Sequence, residues 1–164
     1  MPILSSHSLE IISRSAEQTR RVGMRLGTLL QPGDVVHLIG ELGSGKTTFV
    51  QGVSAGWGSL DPVTSPTFVL VNVYRRPDSQ RLYHLDAYRL SGAQEAWELD
   101  LDGLLESGTL LIEWAERIRQ ALPPAFLSVR LTWVEQNQRD LLLDACGSRY
   151  ETLLASFRKG VYGG

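Results

Sequence analysis

Several things are scarce in this sequence. Among 164 residues there is one cysteine, Cys146, so no internal disulfide can form and a reducing compartment is the expected setting. Long apolar runs are missing too. A stretch such as Leu110 to Ile112 lasts a few residues, far short of the ~20 that a membrane-spanning helix needs. The start, Met1-Pro2-Ile3-Leu4-Ser5-Ser6-His7, has neither a basic nor an apolar region, so no signal peptide is expected and the cytoplasm is the expected location. Charge of one sign is not in excess: 16 basic residues face 18 acidic ones, for a net −2. That balance disfavours strong nucleic-acid binding by the chain alone. Lysine is the scarcest of the charged residues, since 14 of the 16 basic residues are arginine and only Lys46 and Lys159 remain. Neither lysine follows an asparagine, so the guanine-reading Asn-Lys-x-Asp pattern is absent, which argues against a Ras-like GTPase.

What remains is ordinary globular composition, 43% hydrophobic and 21% charged, enough for one domain with its own core. No repeat or linker divides the chain, so residues 1–164 read as a single domain, ending in a helix and a flexible tail from residue 149. Ser8 to Ser13 suits a first strand. Ser15-Ala16-Glu17-Gln18 is a capping-box pattern that starts a helix carrying Val22, Leu26, Leu29 and Leu30 and ending at Pro32-Gly33. Val35 to Ile39 is a short β-branched run suited to a buried strand. A helix with Phe49, Val50, Val53 and Trp57 on one side follows the next turn.

Thr67 to Tyr74 and Arg81 to Leu85 flank a turn and predict a hairpin. Ser91-Gly92-Ala93-Gln94 predicts another capped helix. Thr109 to Ile112 predicts a second buried strand, with a helix to about Leu122. Leu127, Val129, Leu131 and Trp133 alternate with polar residues and predict a half-buried strand, paired with Asp140 to Cys146. A last helix is expected from Ser148. Interleaved strands and helices give the fold class: α/β, a P-loop NTPase-like mixed sheet flanked by helices, with added hairpin strands.

Gly40-Glu41-Leu42-Gly43-Ser44-Gly45-Lys46-Thr47 matches G-x-x-x-x-G-K-[ST]. Glycines let successive backbone N–H groups curl into one nest for phosphate oxygens. The following helix adds free N-terminal amides and the positive end of its dipole. The Lys46 ammonium then reaches the outer phosphates, and the Thr47 hydroxyl holds Mg²⁺. Chance produces this pattern in about half a percent of chains of this length, and the preceding strand and following helix lower that further. Two acids end apolar runs: Glu113 after Leu110-Leu111-Ile112, and Asp86 after Tyr83-His84-Leu85. Either acts as a metal ligand, as the group orienting an attacking water, or as a base; alternatively, each is a solvated strand-end acid. Thr64-Ser65-Pro66-Thr67 is either a γ-phosphate-sensing loop or a plain turn. His37 reads as a core histidine, and His84 is the better candidate for a part in chemistry. Trp97 and Trp133 read as core. Trp114 either packs or stacks on a base or partner. Arg14, Arg21 and Arg25 read as one solvated helical face.

The order Gly40 to Thr48, Ser65-Pro66-Thr67-Phe68, His84-Leu85-Asp86-Ala87-Tyr88-Arg89-Leu90 and Ile112-Glu113-Trp114 resembles the TsaE (YjeE) family. The likeness runs from about Ser15 to Gly147, and the three later motifs are far more specific than the P-loop alone. The resemblance implies a bacterial ATPase needed to make N6-threonylcarbamoyladenosine at position 37 of tRNAs that read ANN codons. Its ATP site is expected at the contact with a TsaD–TsaB pair, in which TsaD performs the transfer. By resemblance, Glu41, Leu42, Gly43, Ser44, Gly45, Lys46, Thr47 and Thr48 hold ATP and Mg²⁺. Thr67 falls in a switch-like segment, and Asp86 matches an essential aspartate. Glu113 matches a metal-linked glutamate, with the aromatic Trp114 beside it. Ala87 and Ala115 depart from the family pattern at positions outside the chemistry. Two rival functions keep the same loop: a small-molecule kinase using Asp86 and Arg89 on its acceptor, and a nucleotide-gated binding module with negligible turnover.

Overall fold

The apolar run before the Gly-rich turn is a central strand, and that placement explains its composition. In the structure, a computed structural model that describes residues 7–41, 43–63, 71–90 and 92–162, this strand has neighbours on both sides. Those neighbours pair both of its edges, helices cover both of its faces, and Val35, Val36, His37 and Leu38 are all buried. Along the chain come β1 (Ser8–Ser13), α1 (Ala16–Gly27), β2 (Val35–Ile39), α2 (Lys46–Trp57), β3 (Val71–Arg75) and β4 (Arg81–Asp86). There follow α3 (Ala93–Glu98), α4 (Leu101–Ser107), β5 (Gly108–Glu113), β6 (Phe126–Trp133), β7 (Arg139–Cys146) and α5 (Ser148–Tyr162). Two 3-10 segments, Ala87–Arg89 and Ala115–Ala121, follow β4 and β5.

The strands form one seven-stranded sheet in the order β1-β7-β6-β2-β5-β4-β3. β2 runs parallel to β5 and β6, and β4 parallel to β5. The outer strands β3, β7 and β1 are antiparallel to their neighbours. This is the mixed α/β sheet with hairpin additions that the sequence predicts. Alternation along β2 and β5 sends side chains into two cores. Val36, Leu38 and Leu111 meet Leu26, Phe49, Val53, Leu154 and Phe157 on one face. Val35, Leu110 and Ile112 meet Leu85, Leu90, Leu101 and Ile118 on the other.

Helices α1 and α2 approach more closely than ordinary side chains allow. A Cβ placed on Gly23 would stand 2.3 Å from the Phe49 carbonyl oxygen, and one on Gly52 would stand 2.0 Å from that of Arg20. Gly27 and Gly56 repeat the relation against Val53 and Met24, at 2.2 and 2.0 Å. Backbone thus packs on backbone, and α2, which begins with Lys46, is held by this seam. The far end of β2 is tied down by α5: Arg149 forms a two-pronged pair with Asp34, at 2.9 and 2.8 Å, and the Val35 N–H donates to the Tyr150 hydroxyl at 2.8 Å.

Some expectations are corrected. Helix α1 stops at Gly27, short of Pro32-Gly33, because residues 28–34 must turn back into β2. There Gln31 N–H donates to Asp34 Oδ2, and Gly33, at φ +93°, donates to Gly108. The single helix expected from Ser91 is two short ones, broken where Asp100 takes left-handed φ/ψ and caps α4 through Gly103 N–H. Ser91 itself lies outside the described residues, and Gly92 precedes α3 without a side-chain cap. The helix expected after Glu113 is 3-10, with a non-helical Ile118 inside it. Trp97 and Trp133 are not core: they are 57% and 60% exposed. Trp97 lies on a helix that buries only Ala96, and Trp133 is the last residue of β6, at the exposed end of its burial pattern. Arg25 is not fully solvated, since its guanidinium lies over Gly160 of α5.

Candidate nucleotide site

The loop between β2 and α2 has the backbone its glycines permit. Gly43 and Gly45 sit at φ +83° and +101°, where other residues are strained. Gly40 has no room for a side chain, because a Cβ there would stand 2.8 Å from the Leu131 carbonyl oxygen. Helix α2 begins behind Gly45 with no side-chain cap and no acidic residue in its first turn. Its first amides are therefore left to an anion, the arrangement that binds phosphate.

Lys46 lies at the head of that helix, and its Nζ is 3.1 Å from Glu113 Oε1. The other carboxylate oxygen, Oε2, is 2.8 Å from His84 Nε2. Burial raises the Glu113 pKa, but the hydrogen bond from His84 and the charge of Lys46 outweigh it, and the carboxyl is held below its ordinary range. Asp86 is the register partner of Glu113 across the parallel β4–β5 pair, so both acids leave the sheet side by side. One Asp86 oxygen accepts the Tyr88 N–H at 3.0 Å and caps the 3-10 segment. Trp114 is held at φ +60°, a left-handed conformation that costs a bulky residue on the order of 1 kcal/mol. It is 43% exposed and packs on Tyr88 at 5.1 Å between ring centroids.

These groups line one cleft of about 820 Å³, within the size range of small-molecule sites. Glu41, Gly43, Gly45, Lys46, Thr47 and Thr48 form its floor, and Asp86, Glu113 and Trp114 form one wall. Ser44 points away into an adjoining groove, buried and with its hydroxyl unpartnered. Leu42 and Thr67 lie outside the described residues. The sequence reading missed the opposite wall, Arg130 and Arg139, because one arginine among fourteen carries no signal of place. It also left His84 without a partner. His37 is core as expected: it stacks on Phe126 at 3.8 Å, and burial, then the charge of Arg119, lowers its pKa to about 4.

The donor set fits the expected magnesium. Thr47, Asp86 and Glu113 offer oxygen ligands on one cleft, while the described residues contain no cluster of three or more His, Cys, Asp or Glu placed to hold a metal. Mg²⁺ is commonly held by one or two carboxylates together with substrate phosphates, without an all-protein cage.

The sheet, the loop and the strand-end acids define the class, an α/β protein of P-loop NTPase-like fold. The family model for the threonylcarbamoyl adenosine biosynthesis protein TsaE matches residues 13–141. A TsaE of Bacillus subtilis is 36% identical over 138 residues, covering 84% of this chain and 85% of that protein. A TsaE of Nostoc is 36% identical over 152 residues, covering 90% and 92%. The crystal structure of Bacillus subtilis YdiB superimposes with a TM-score of 0.77 at 30% identity over 98% of both chains. The chain belongs to the TsaE family. No helix among its described residues is long and apolar enough to cross a membrane.

Proposed function

We propose that this chain is a partner-dependent ATPase that supports a TsaD–TsaB complex in forming N6-threonylcarbamoyladenosine at position 37 of tRNA. The observation that carries the reading is the meeting of Lys46, Glu113 and Asp86 at one cleft beside an uncapped helix start. The loop amides and Lys46 bind the phosphates and hold the γ-phosphoryl group in place. Thr47 with one of the two acids, Glu113 or Asp86, would hold Mg²⁺, which would supply charge neutralisation at the phosphate oxygens. Whichever of the two acids is left free of the metal orients the attacking water and takes its proton. Trp114, exposed at the rim, stacks on the base or on a partner.

The arrangement of the same groups supports partner dependence. In the chain alone Glu113 Oε1 holds Lys46, so the lysine must exchange that partner before it reaches a phosphate, a step that a partner can favour. A near-neutral chain suits a protein that meets tRNA through its partners and not directly. Single-turnover ATP hydrolysis, measured with and without TsaD–TsaB, tests the reading. A rise in rate with the pair, lost in Lys46→Ala, is expected. An unchanged rate together with partner binding indifferent to nucleotide would overturn it.

A further inference from the structure

His84 is 3% exposed, in the interior of β4 between β3 and β5. Leu111 on β5 and Asn72 on β3 stand in register with it and Leu82 shares its face of β4, so packing alone does not call for an imidazole. The imidazole instead carries two polar nitrogens. Only Nε2 is used, at 2.8 Å from Glu113 Oε2, and Nδ1 is buried without a partner. An unpaired buried polar atom is a standing cost. What the protein gains from it is at the other nitrogen.

We propose that His84 is the positioning residue of Glu113: its Nε2–H fixes Oε2, leaving Oε1 as the one oxygen that faces the cleft. A carboxylate is an acceptor only, so the imidazole must donate from Nε2. His84 and Asp86 point to the same side of β4, and Asp86 is in register with Glu113. The histidine is thus mounted on a strand bonded along both edges, while Glu113 stands at a strand end where its side chain would otherwise rotate. With Oε2 held, Oε1 meets Lys46 at 3.1 Å and cannot be exchanged for its twin. Glu113 therefore presents one oxygen, in one direction, to whatever enters. The role rests on the reading of Glu113 as an acid of the nucleotide site.

Two measurements test it, the first without any turnover. Long-range ¹H–¹⁵N spectra of the nucleotide-free protein should show His84 carrying a proton on Nε2, with its signals displaced in Glu113→Gln. The Nδ1–H tautomer, or signals unmoved by Glu113→Gln, would overturn the assignment. In single-turnover hydrolysis with TsaD–TsaB, His84→Phe keeps the ring but removes the N–H. It should slow the chemical step about 10–100-fold while ADP affinity without Mg²⁺ stays within about twofold. His84→Gln, whose amide reaches the place of Nε2, should recover much of the rate. Equal rates in all three proteins, or a Gln variant no better than Phe, would refute the positioning role. A wild-type protein that hydrolyses no ATP would refute the proposed function alone, since the spectra still decide His84.

Discussion

Lys46 and Glu113 form an ion pair of 3.1 Å, although one is the lysine proposed to reach phosphate and the other a strand-end acid. Both side chains are largely withdrawn from water, so the pair is more than a screened surface contact. An entering phosphate must take Lys46 from Glu113, and the carboxylate opposes it while the lysine is being exchanged. Replacing Glu113 by Gln removes the competing charge and keeps the volume. ADP measured calorimetrically without Mg²⁺ should bind about 3–10-fold tighter to Glu113→Gln, and ATP turnover with the partner pair should fall to background. Weaker ADP binding in this variant would show that the pair does not compete with phosphate.

The seam between α1 and α2 gives a prediction whose sign opposes intrinsic propensity. Gly to Ala inside a helix ordinarily stabilises it by about 1 kcal/mol. At Gly52 the new methyl would lie 2.0 Å from the Arg20 carbonyl oxygen, which belongs to backbone and cannot rotate aside. The helices must separate, and overpacking of this kind costs about 1–3 kcal/mol or more. Gly52→Ala should lower stability by about 2–3 kcal/mol in urea unfolding. Because α2 begins with Lys46 and Thr47, phosphate affinity should drop in the same protein. A gain in stability would mean that the close approach is not maintained in solution.

Residues whose environment is local were legible, and residues whose environment is made by distant chain were not. Val35 to Ile39 reads as a buried strand because β-branched residues between turn signals have few other uses, and the strand has those bounds. Asp86 and Glu113 read as strand-end acids for the same reason. Their adjacency comes from parallel pairing of β4 with β5, a long-range register that no local pattern encodes. Period-two alternation placed Leu127, Val129 and Leu131 inside, and they are buried. The same rule failed at Trp133, since alternation gives the face of a sheet but not where the covering layer ends. His84 stands out in sequence through its neighbour Asp86, whereas its partner Glu113 lies 29 residues away.

The wall opposite the acids holds a second test. Arg139 Nη1 donates to the carbonyls of Glu135, Gln136 and Gln138, at 3.2, 3.4 and 3.1 Å, closing the β6–β7 turn. Its stem lies 3.7 Å from where a Gly45 Cβ would be, so the side chain backs the loop proposed to hold phosphate. The three bonds come from one nitrogen aimed by the rigid guanidinium plane, and a lysine ammonium on its flexible stem is not held in that direction. Arg139→Lys and Arg139→Ala should therefore both weaken ADP binding, by on the order of tenfold, as read by displacement of a fluorescent ADP analogue. Full affinity in the lysine variant would show that charge alone is needed there.

His37 sets a pH dependence that is separate from the cleft. Burial, and then the charge of Arg119, lowers its pKa from 6.5 to about 4 in the folded chain, with the ring stacked on Phe126 at an interplanar angle of 6°. The unfolded chain binds a proton there below about pH 6.5, whereas the folded chain does not until about pH 4. The unfolded state therefore holds more protons in that window, and stability falls as pH drops through it. Above 6.5 the contribution is fully retained; by pH 4 its loss reaches on the order of 2–3 kcal/mol. His37→Phe preserves the stack and has nothing to protonate. Unfolding free energies of the two proteins, measured by urea titration from pH 7.5 to 4, should diverge below 6.5, with the variant flatter. Parallel curves would assign the acid sensitivity to other groups.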